Sequence, residues 1–347
     1  MKIAFVVNDM KTRKAGHATI RLAQKAHNLG HETWITGAAN LSYDESGNIL
    51  ADSLSAPKDN YRSSDSYAGD LASAKAVSKR IALSEFDLVM LRHNPAAETA
   101  ARAWKQYVGI FFGRLLVARG VIVVNDPEGL ARGLNKIYLQ EFPETVRPKT
   151  LITREREDVK AFVAKSGLAV VKPLQGSGGQ GVFLLRKDDK ANINQIVDTL
   201  TSSGYLVCQE YLPEAEEGDI RLLMLNGEPL KHKGRYAAFR RCRKGGDLRS
   251  NIHAGATVEF ADIDDSSLKV ARIAGPKLKR DGMFFVGLDI VGDKILEINI
   301  FSPGGLANSQ KVTSVNFTDV VIKALERKVE ARKLYGRRLS NRELAVL

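Results

Sequence analysis

Leu168–Ala169–Val170–Val171–Lys172–Pro173–Leu174–Gln175–Gly176–Ser177–Gly178–Gly179–Gln180–Gly181–Val182–Phe183–Leu184–Leu185 is a glycine-rich turn set between two apolar runs. Its glycines match G-x-G-x-x-G, a pattern that in a dinucleotide fold must open a helix whose N-terminus faces the pyrophosphate. Here a β run follows, Val182 to Leu185, so the turn bridges two strands of a hairpin. With no Cβ in the way, its backbone N–H groups can fold over phosphate oxygens as a flexible cover. No Gly-Lys-Ser/Thr follows, which excludes a Walker A loop. The lysine precedes the glycines, which disfavours a protein kinase. A merely flexible hairpin is the alternative reading. Lys172 lies in an otherwise apolar strand, where a charge is costly unless it meets an anion. Lys136, on a preceding helix, can supply a second cation.

Working outward, Ile3–Val7 reads as a strand, 17–29 as an amphipathic helix closed by Gly30, and Glu32–Thr36 as the next strand. This β–α–β opening predicts an α/β domain with parallel strands. Residues 38–66 read as a polar excursion or short hairpin, followed by a helix at 68–84 and a buried strand, Leu88–Leu91. Arg92–His93–Asn94–Pro95 stands at that strand's C-terminal end, where open α/β sheets bind ligands. A helix at 98–118 and a strand, Val121–Val124, complete this part. After 127 come a helix at 128–140, a strand at 150–152, a helix at 155–166 and the glycine hairpin. From 204 strands dominate: 205–211, 219–226, 228–235, 255–260 and 284–300, with helices at 265–280 and 315–334.

The stretch Asp289–Ile290–Val291–Gly292–Asp293–Lys294–Ile295–Leu296–Glu297–Ile298–Asn299 reads as two strands joined by a tight turn. Glu297 and Asn299 are two apart and share a face. A hairpin through Gly292–Asp293 brings Asp289 beside them. Three oxygen-bearing side chains in an apolar setting suit Mg²⁺, which takes one or two carboxylates plus substrate phosphates. An edge hairpin with solvent-facing polar residues is the alternative on spacing alone. Gln209 and Glu210, on a strand leaving into a turn, can flank an adenine edge or simply be exposed. Asp219 and Arg221, alternate on the next strand, are placed to orient each other.

Composition excludes several classes. At 347 residues the chain has length for two or three subdomains. No apolar run approaches a membrane span, and the start lacks the basic lead and apolar length of a signal peptide, so cytoplasmic residence is the default. The two cysteines, Cys208 and Cys242, form no C-x-x-C, and the six histidines form no H-x-x-x-H, which argues against zinc. The net charge of +12 permits nucleic-acid binding. The basic residues of the C-terminal tail are helically spaced with interleaved glutamates, however, as on a solvated helix face. Only Tyr335 lies near them as a stacking partner, so neither a nucleic-acid nor a membrane partner is expected. A second basic cluster, from Arg235 to Arg249, is broken by Gly245–Gly246 and reads as an arginine loop able to hold phosphates or carboxylates.

Taken in order, Lys172 with Gly176–Gly181, Gln209–Glu210–Tyr211–Leu212–Pro213, Gly218–Asp219–Ile220–Arg221, Gly245–Gly246–Asp247–Leu248–Arg249–Ser250–Asn251 and Asp289…Glu297–Ile298–Asn299 resemble an ATP-grasp ligase. The bacterial glutathione synthetase family is the one most resembled, from Met1 to about residue 325. The resemblance implies an ATP-grasp fold, α/β and α+β, with an N-terminal parallel-sheet (Rossmann-like) domain. Its expected parts are an N-terminal α/β domain at 1–126, a lid with the glycine loop at 127–203, a central unit with the metal site at 204–325 and a basic helical tail at 326–347. It implies ATP and two Mg²⁺ ions, with Mn²⁺ as a substitute, and a carboxylate–amine ligation through an acyl phosphate.

The resemblance also implies roles. Lys136 and Lys172 would contact phosphates under Gly176, Gly178 and Gly179. Gln209, Glu210, Tyr211 and Leu212 would line the adenine pocket, with Glu217 towards the ribose. Asp289, Glu297 and Asn299 would hold the metal. Arg221, Arg241 and Arg249 would face the acyl phosphate and the acidic substrate. Arg92 would grip a substrate carboxylate, with Asn251, Ser302, Gly304 and Gly305 bordering the substrate. The family also implies a homo-oligomer, dimer or tetramer, and the apolar helix 98–118 could serve an interface or the core. The sequence departs from the family at Gly304–Gly305, where Thr-Cys or a similar pair is usual, and at Arg92–His93–Asn94–Pro95, in place of Arg-Lys-Asp-Pro. A ligase acting on a different acid and amine is therefore the alternative.

Overall fold

Ile3, Ala4, Phe5 and Val6 are fully buried in β1 (Lys2–Val7), which lies inside a sheet covered on both faces. The computed structural model describes residues 1–10, 14–176, 179–188, 190–242 and 257–347. From β1 the chain passes through α1 (Ala18–Asn28) to β2 (Glu32–Tyr43), parallel to β1. The polar excursion is a hairpin: β2 turns back antiparallel into β3 (Ile49–Ser55). Next come α2 (Ser64–Ala72), β4 (Val77–Ala82), β5 (Leu88–Leu91), α3 (Val108–Ala118) and β6 (Ile122–Val124). The sheet order is β4-β3-β2-β1-β5-β6, with β5 parallel to both β1 and β6.

Two expected helices are shorter in the structure. The one at 68–84 is α2, which starts earlier, at the Ser63 cap, and ends by Ser73. Val77–Ala82 pairs instead with β3 as an edge strand, a long-range choice that local pattern does not reveal. The helix at 98–118 is α-helical only from Val108; Ala100–Lys105 forms a 3₁₀ helix.

The helix at 128–140 breaks in two. α4 (Pro127–Arg132), capped by Asp126, stops at Gly133. A Cβ on Gly133 would stand 2.1 Å from Ile300 Cδ1, so any larger residue there requires the Ile300 side chain to shift. A 3₁₀ helix, Lys136–Glu141, capped by Asn135, follows.

The second sheet is antiparallel and built from β7 (Thr150–Thr153), β8 (Leu168–Pro173), β9 (Phe183–Arg186) and β10 (Leu206–Glu210), in the order β7-β10-β8-β9. β8 and β9 are the two strands of the glycine hairpin. β10, expected to begin the central unit, lies between β7 and β8. α5 (Arg156–Ser166) and α6 (Lys190–Thr201) cover this sheet, which has its own core of Val159, Val163, Val171, Leu185 and Val197.

The third sheet carries β11 (Asp219–Leu225), β12 (Ala238–Cys242), β13 (Thr257–Glu259), β14 (Phe285–Val291) and β15 (Lys294–Asn299), in the order β13-β12-β11-β14-β15. The strand expected at 228–235 is broken into two-residue pieces, Glu228–Pro229, Lys231–His232 and Arg235–Tyr236. α7 (Asp265–Arg280) packs beside this sheet, followed by α8 (Leu306–Thr313), α9 (Thr318–Tyr335) and α10 (Asn341–Ala345).

The first and third sheets share one apolar core, in which Val6 and Val89 join Leu222 and Val286. Polar ties reinforce it. The Asn125 carboxamide donates to Phe285 O (3.1 Å) and accepts from Phe285 N (2.9 Å). The expected tail is no separate appendage: it continues α9, which packs on α1, and ends in α10. There Asn341 bridges Val123 N (2.8 Å), Val123 O (2.9 Å) and Asp126 (2.8 Å).

Candidate active site

The second sheet stands over the edge of the third, and one cleft opens between them. Lys136, Lys172, Gly176, Gln209, Glu297, Asn299 and Ser302 all line it. Each side chain arrives for a local reason. β8 brings Lys172 in on a strand whose Ala169 and Val171 point into the apolar core. The Asn135 side chain accepts from Ile137 N (3.0 Å) and starts the 3₁₀ turn that presents Lys136. The hairpin β14–β15 pairs Asp289 with Glu297 across the ladder, with a register shift between Asp289 and Ile290. Glu297 and Asn299, alternate on β15, both reach the cleft.

Lys136 Nζ donates to Gly176 O (3.0 Å), tying this turn to the start of the glycine loop. Burial pushes the Lys172 ammonium down to about 8; Glu297 opposes this, Lys136 adds to it and Asp289 opposes it. Burial also lowers Lys136, against the pull of Glu297. Two cations held below their usual range, facing one carboxylate, form a pocket that gains from a polyanion.

Asp289 has a different setting. It is 3% exposed and accepts a two-pronged contact from Arg221, with Nη2 at 2.9 Å. Arg241 Nη2 lies 2.8 Å from the same carboxylate and also clasps Asp219. Burial pushes the Asp289 carboxyl up, but Arg221 and Arg241 outweigh it and hold the group well below the usual carboxylate range. The expected mutual orientation of Asp219 and Arg221 is thus an exchange of partners: Arg221 takes Asp289, and Asp219 takes Arg241. The cause is register, since β11 sets Arg221 opposite Asp289 on one side and Asp219 opposite Arg241 on the other.

The donor set can be tested against a hard divalent ion. Glu297 and the Asn299 carboxamide offer oxygen on one strand face, as Mg²⁺ requires. Asn299 Nδ2 donates to Asp289 Oδ2 (3.3 Å), leaving its carboxamide oxygen as an acceptor. Asp289 can join such a shell only by exchanging guanidinium contacts. Glu297 and Asn299 therefore fit the ion directly, and Asp289 fits it conditionally.

Other expected residues lie outside the cleft. Arg92 is buried, 3% exposed, and donates to Thr19 Oγ1 (3.1 Å) and Pro303 O (2.9 Å). Burial alone lowers its guanidinium, to about 9. Glu210 accepts from Lys149 N (2.8 Å), and Glu217 is exposed beside Arg240 at 3.5 Å. Tyr211 and Leu212 follow β10 without lining the cleft. Gly304 O accepts from Arg221 Nη1 (3.3 Å). Gly305 has φ +124° and sits against Phe239, so no other residue fits there without a shift. Gly179 lies in the turn before β9 with φ +75°. Gly178, Arg249 and Asn251 lie outside the described residues. The structure adds Asn94, Asn135, Tyr138 and Gln175 to the lining. Asn135 had a signal, a capping asparagine two residues after glycine; Gln175 had none.

Comparisons with known proteins agree with this architecture. The family model for the prokaryotic glutathione synthetase N-terminal domain matches residues 1–131, and that for its ATP-grasp domain matches 135–314. A glutathione synthetase of Synechococcus elongatus is 32% identical, over 94% of this chain and 98% of its own. One from Shewanella oneidensis is 35% identical, over 70% and 74%. Among solved structures, D-cycloserine synthetase DcsG superposes with a TM-score of 0.59 at 16% identity, covering 93% of this chain and 99% of its own. The ATP-grasp ligase PsnB, solved with a minimal precursor, Mg and ADP, gives 0.59 at 17% identity, covering 94% and 98%. These two likenesses concern the fold. The chain belongs to the prokaryotic glutathione synthetase family and is an ATP-dependent carboxylate–amine ligase of the ATP-grasp fold, using ATP and a divalent metal.

Proposed function

We propose that this ligase joins γ-glutamylcysteine to glycine, converting ATP to ADP and phosphate. A carboxylate oxygen of the dipeptide attacks the γ-phosphorus, ADP leaves, and an acyl phosphate forms. The glycine amine then attacks the acyl carbon, and phosphate departs with that former carboxylate oxygen. Lys136 and Lys172 neutralise phosphoryl charge, and the glycine loop with Gly176, Gly178 and Gly179 covers the phosphates. Glu297, Asn299 and Asp289 would hold Mg²⁺, as two ions with Mn²⁺ as a substitute, which when bound supplies positive charge to the phosphate oxygens. Gln209, Glu210, Tyr211 and Leu212 take the adenine side, with Glu217 towards the ribose. Arg221, Arg241 and Arg249 stabilise the acyl phosphate and the oxyanion that follows. Arg92, Asn251, Ser302, Gly304 and Gly305 bound the peptide. Excluding water keeps the acyl phosphate from hydrolysis. The active form is a homo-oligomer in the cytoplasm.

The observation that carries this reading is the opposition of Lys136 and Lys172 to Glu297 and Asn299 in one cleft. The test is ADP release with Mg²⁺ over a panel of acids and amines. Release with γ-glutamylcysteine plus glycine supports the reading. A different productive pair would establish a sister ligase, which the Gly304–Gly305 segment favours. Silence across the panel would overturn both.

A further inference from the structure

The first sheet has a topological switch point. β1 is parallel to β2 on one side and to β5 on the other, and the chain reaches those neighbours by connections running in opposite directions. Ligands of open α/β sheets bind in the crevice beyond the carboxyl ends of two such strands. Asn8 follows β1 there, and Arg92, His93 and Asn94 follow β5. Asn8 Nδ2 donates to Asn94 O (2.9 Å) and to Glu98 Oε1 (2.7 Å), and Asn94 N donates to Asn8 Oδ1 (2.9 Å). The crevice is thus built around one carboxylate, Glu98.

Among the described residues, no lysine or arginine forms an ion pair with that buried carboxylate. The Glu98 side chain is 4% exposed, and its ionisable neighbour is His93, 3% exposed, with Nε2 at 3.4 Å. His93 Nε2 has no hydrogen-bond partner among the described residues. Burial lowers the imidazole, Glu98 opposes this and Lys105 adds to it, so the uncharged ring is favoured. The Lys105 ammonium lies over the Trp104 ring, 5.5 Å from its centroid, and makes no ion pair with Glu98 among the described residues. A buried carboxylate left with an amide and a neutral ring gains most from an incoming cation.

Space for one is present. Glu98, Gln106 and Tyr107 line a cavity whose opposite wall is Leu134, Gln175 and Gly176. The same three residues also line the ligase cleft, so the cavity adjoins the cleft across a shared wall. A ligand with an ammonium at one end and a carboxylate at the other can therefore span from Glu98 towards Lys172 and Glu297.

We propose that Glu98 is a specificity residue that binds the free ammonium of the acid substrate, at the end remote from the carboxylate that is phosphorylated. This rests on the ligase reading above and adds how its acid is chosen. A γ-linked dipeptide carries such an ammonium; its des-amino analogue, N-glutarylcysteine, lacks only that group. Asn8 holds Glu98 in place and acts as a positioning residue.

The experiment compares kcat/KM for γ-glutamylcysteine and N-glutarylcysteine in the wild-type enzyme and in Glu98→Gln. The wild type should lose roughly 30-fold or more with the analogue, the scale of an unpaired buried charge. Glu98→Gln should lose a similar factor with γ-glutamylcysteine and treat both acids alike, with KM for ATP unchanged. Glu98→Asp, which keeps the charge, should retain the preference for the ammonium. Equal use of both acids by the wild type would overturn the inference, even if Glu98→Gln failed to fold. So would a folded Glu98→Gln that still discriminates. If the wild type ligates a different acid, the ligase reading fails in its substrate, and the same comparison is run with that acid and its des-amino form.

Discussion

Asp289 and Glu297 face each other across one ladder of one hairpin, carry the same charge, and live in different chemistry. On β14, Asp289 is sealed under two guanidiniums, with Asp219 completing a buried four-residue ion network. On β15, Glu297 lines the cleft opposite two cations whose burial leaves them short of negative charge. The difference comes from the flanking strands. β11 covers Asp289 from one side, and β15, at the sheet edge, leaves Glu297 to the second sheet. Two carboxylates that sequence places in one metal clamp thus divide the work. One is committed to the fold unless a ligand displaces its arginines, and the other is ready for a ligand.

Substitution should separate the two. Glu297→Ala removes the cleft carboxylate from an edge strand; turnover should fall about 1,000-fold or more, the several kcal/mol a misplaced metal represents, while urea unfolding stays near wild type. Asp289→Ala leaves Arg221 and Arg241 buried without their shared partner. Its unfolding free energy should drop by about 3–5 kcal/mol, as expected for breaking a buried ion pair from one side. If Glu297→Ala were the less stable of the two, or Asp289→Ala unfolded like wild type, the division would be wrong.

A smaller effect sharpens the cleft side of the comparison. Lys172 is charged below about pH 8 in the free enzyme, so kcat/KM for ATP should decline as pH rises through that value. Lys172→Met should weaken ATP by about tenfold, the loss of one charge-assisted contact, and flatten that profile. The unfolded chain, with an ordinary lysine pKa of 10.5, binds this proton more tightly than the folded one. The charge therefore destabilises the ligand-free fold at neutral pH, and Lys172→Met should raise its thermal midpoint. A midpoint that fell, with an unchanged pH profile, would remove Lys172 from the phosphate site.

What was legible in sequence was mostly local. The β–α–β opening, the glycine turn between strands and the Asp289–Asn299 hairpin follow from short-range pattern, and each side chain's face follows from alternation. Val77–Ala82 was not legible, because it is a strand only by pairing with β3. Nor was the exchange of partners by Asp219 and Arg221, whose carboxylate and guanidinium come from β14 and β12. Arg92 was legible as a residue at a strand end, but not as one turned to Thr19 and the Pro303 carbonyl. Glu98 gave no local signal at all: the side chain that binds it, Asn8, is 90 residues away. Sites assembled at sheet crossovers depend on the order of strands, and a single sequence does not display that order.

Activation of a carboxylate by phosphorylation in the Lys172–Glu297 cleft leaves an isotopic trace. The decisive measurement uses acid substrate labelled by ¹⁸O in the carboxylate, incubated with ATP, Mg²⁺ and the amine, and mass analysis of the released phosphate. One ¹⁸O atom per phosphate is expected, carried over when the amine displaces the acyl phosphate. Unlabelled phosphate at full turnover would mean that water, not the carboxylate, attacks ATP, and would overturn the acyl-phosphate route.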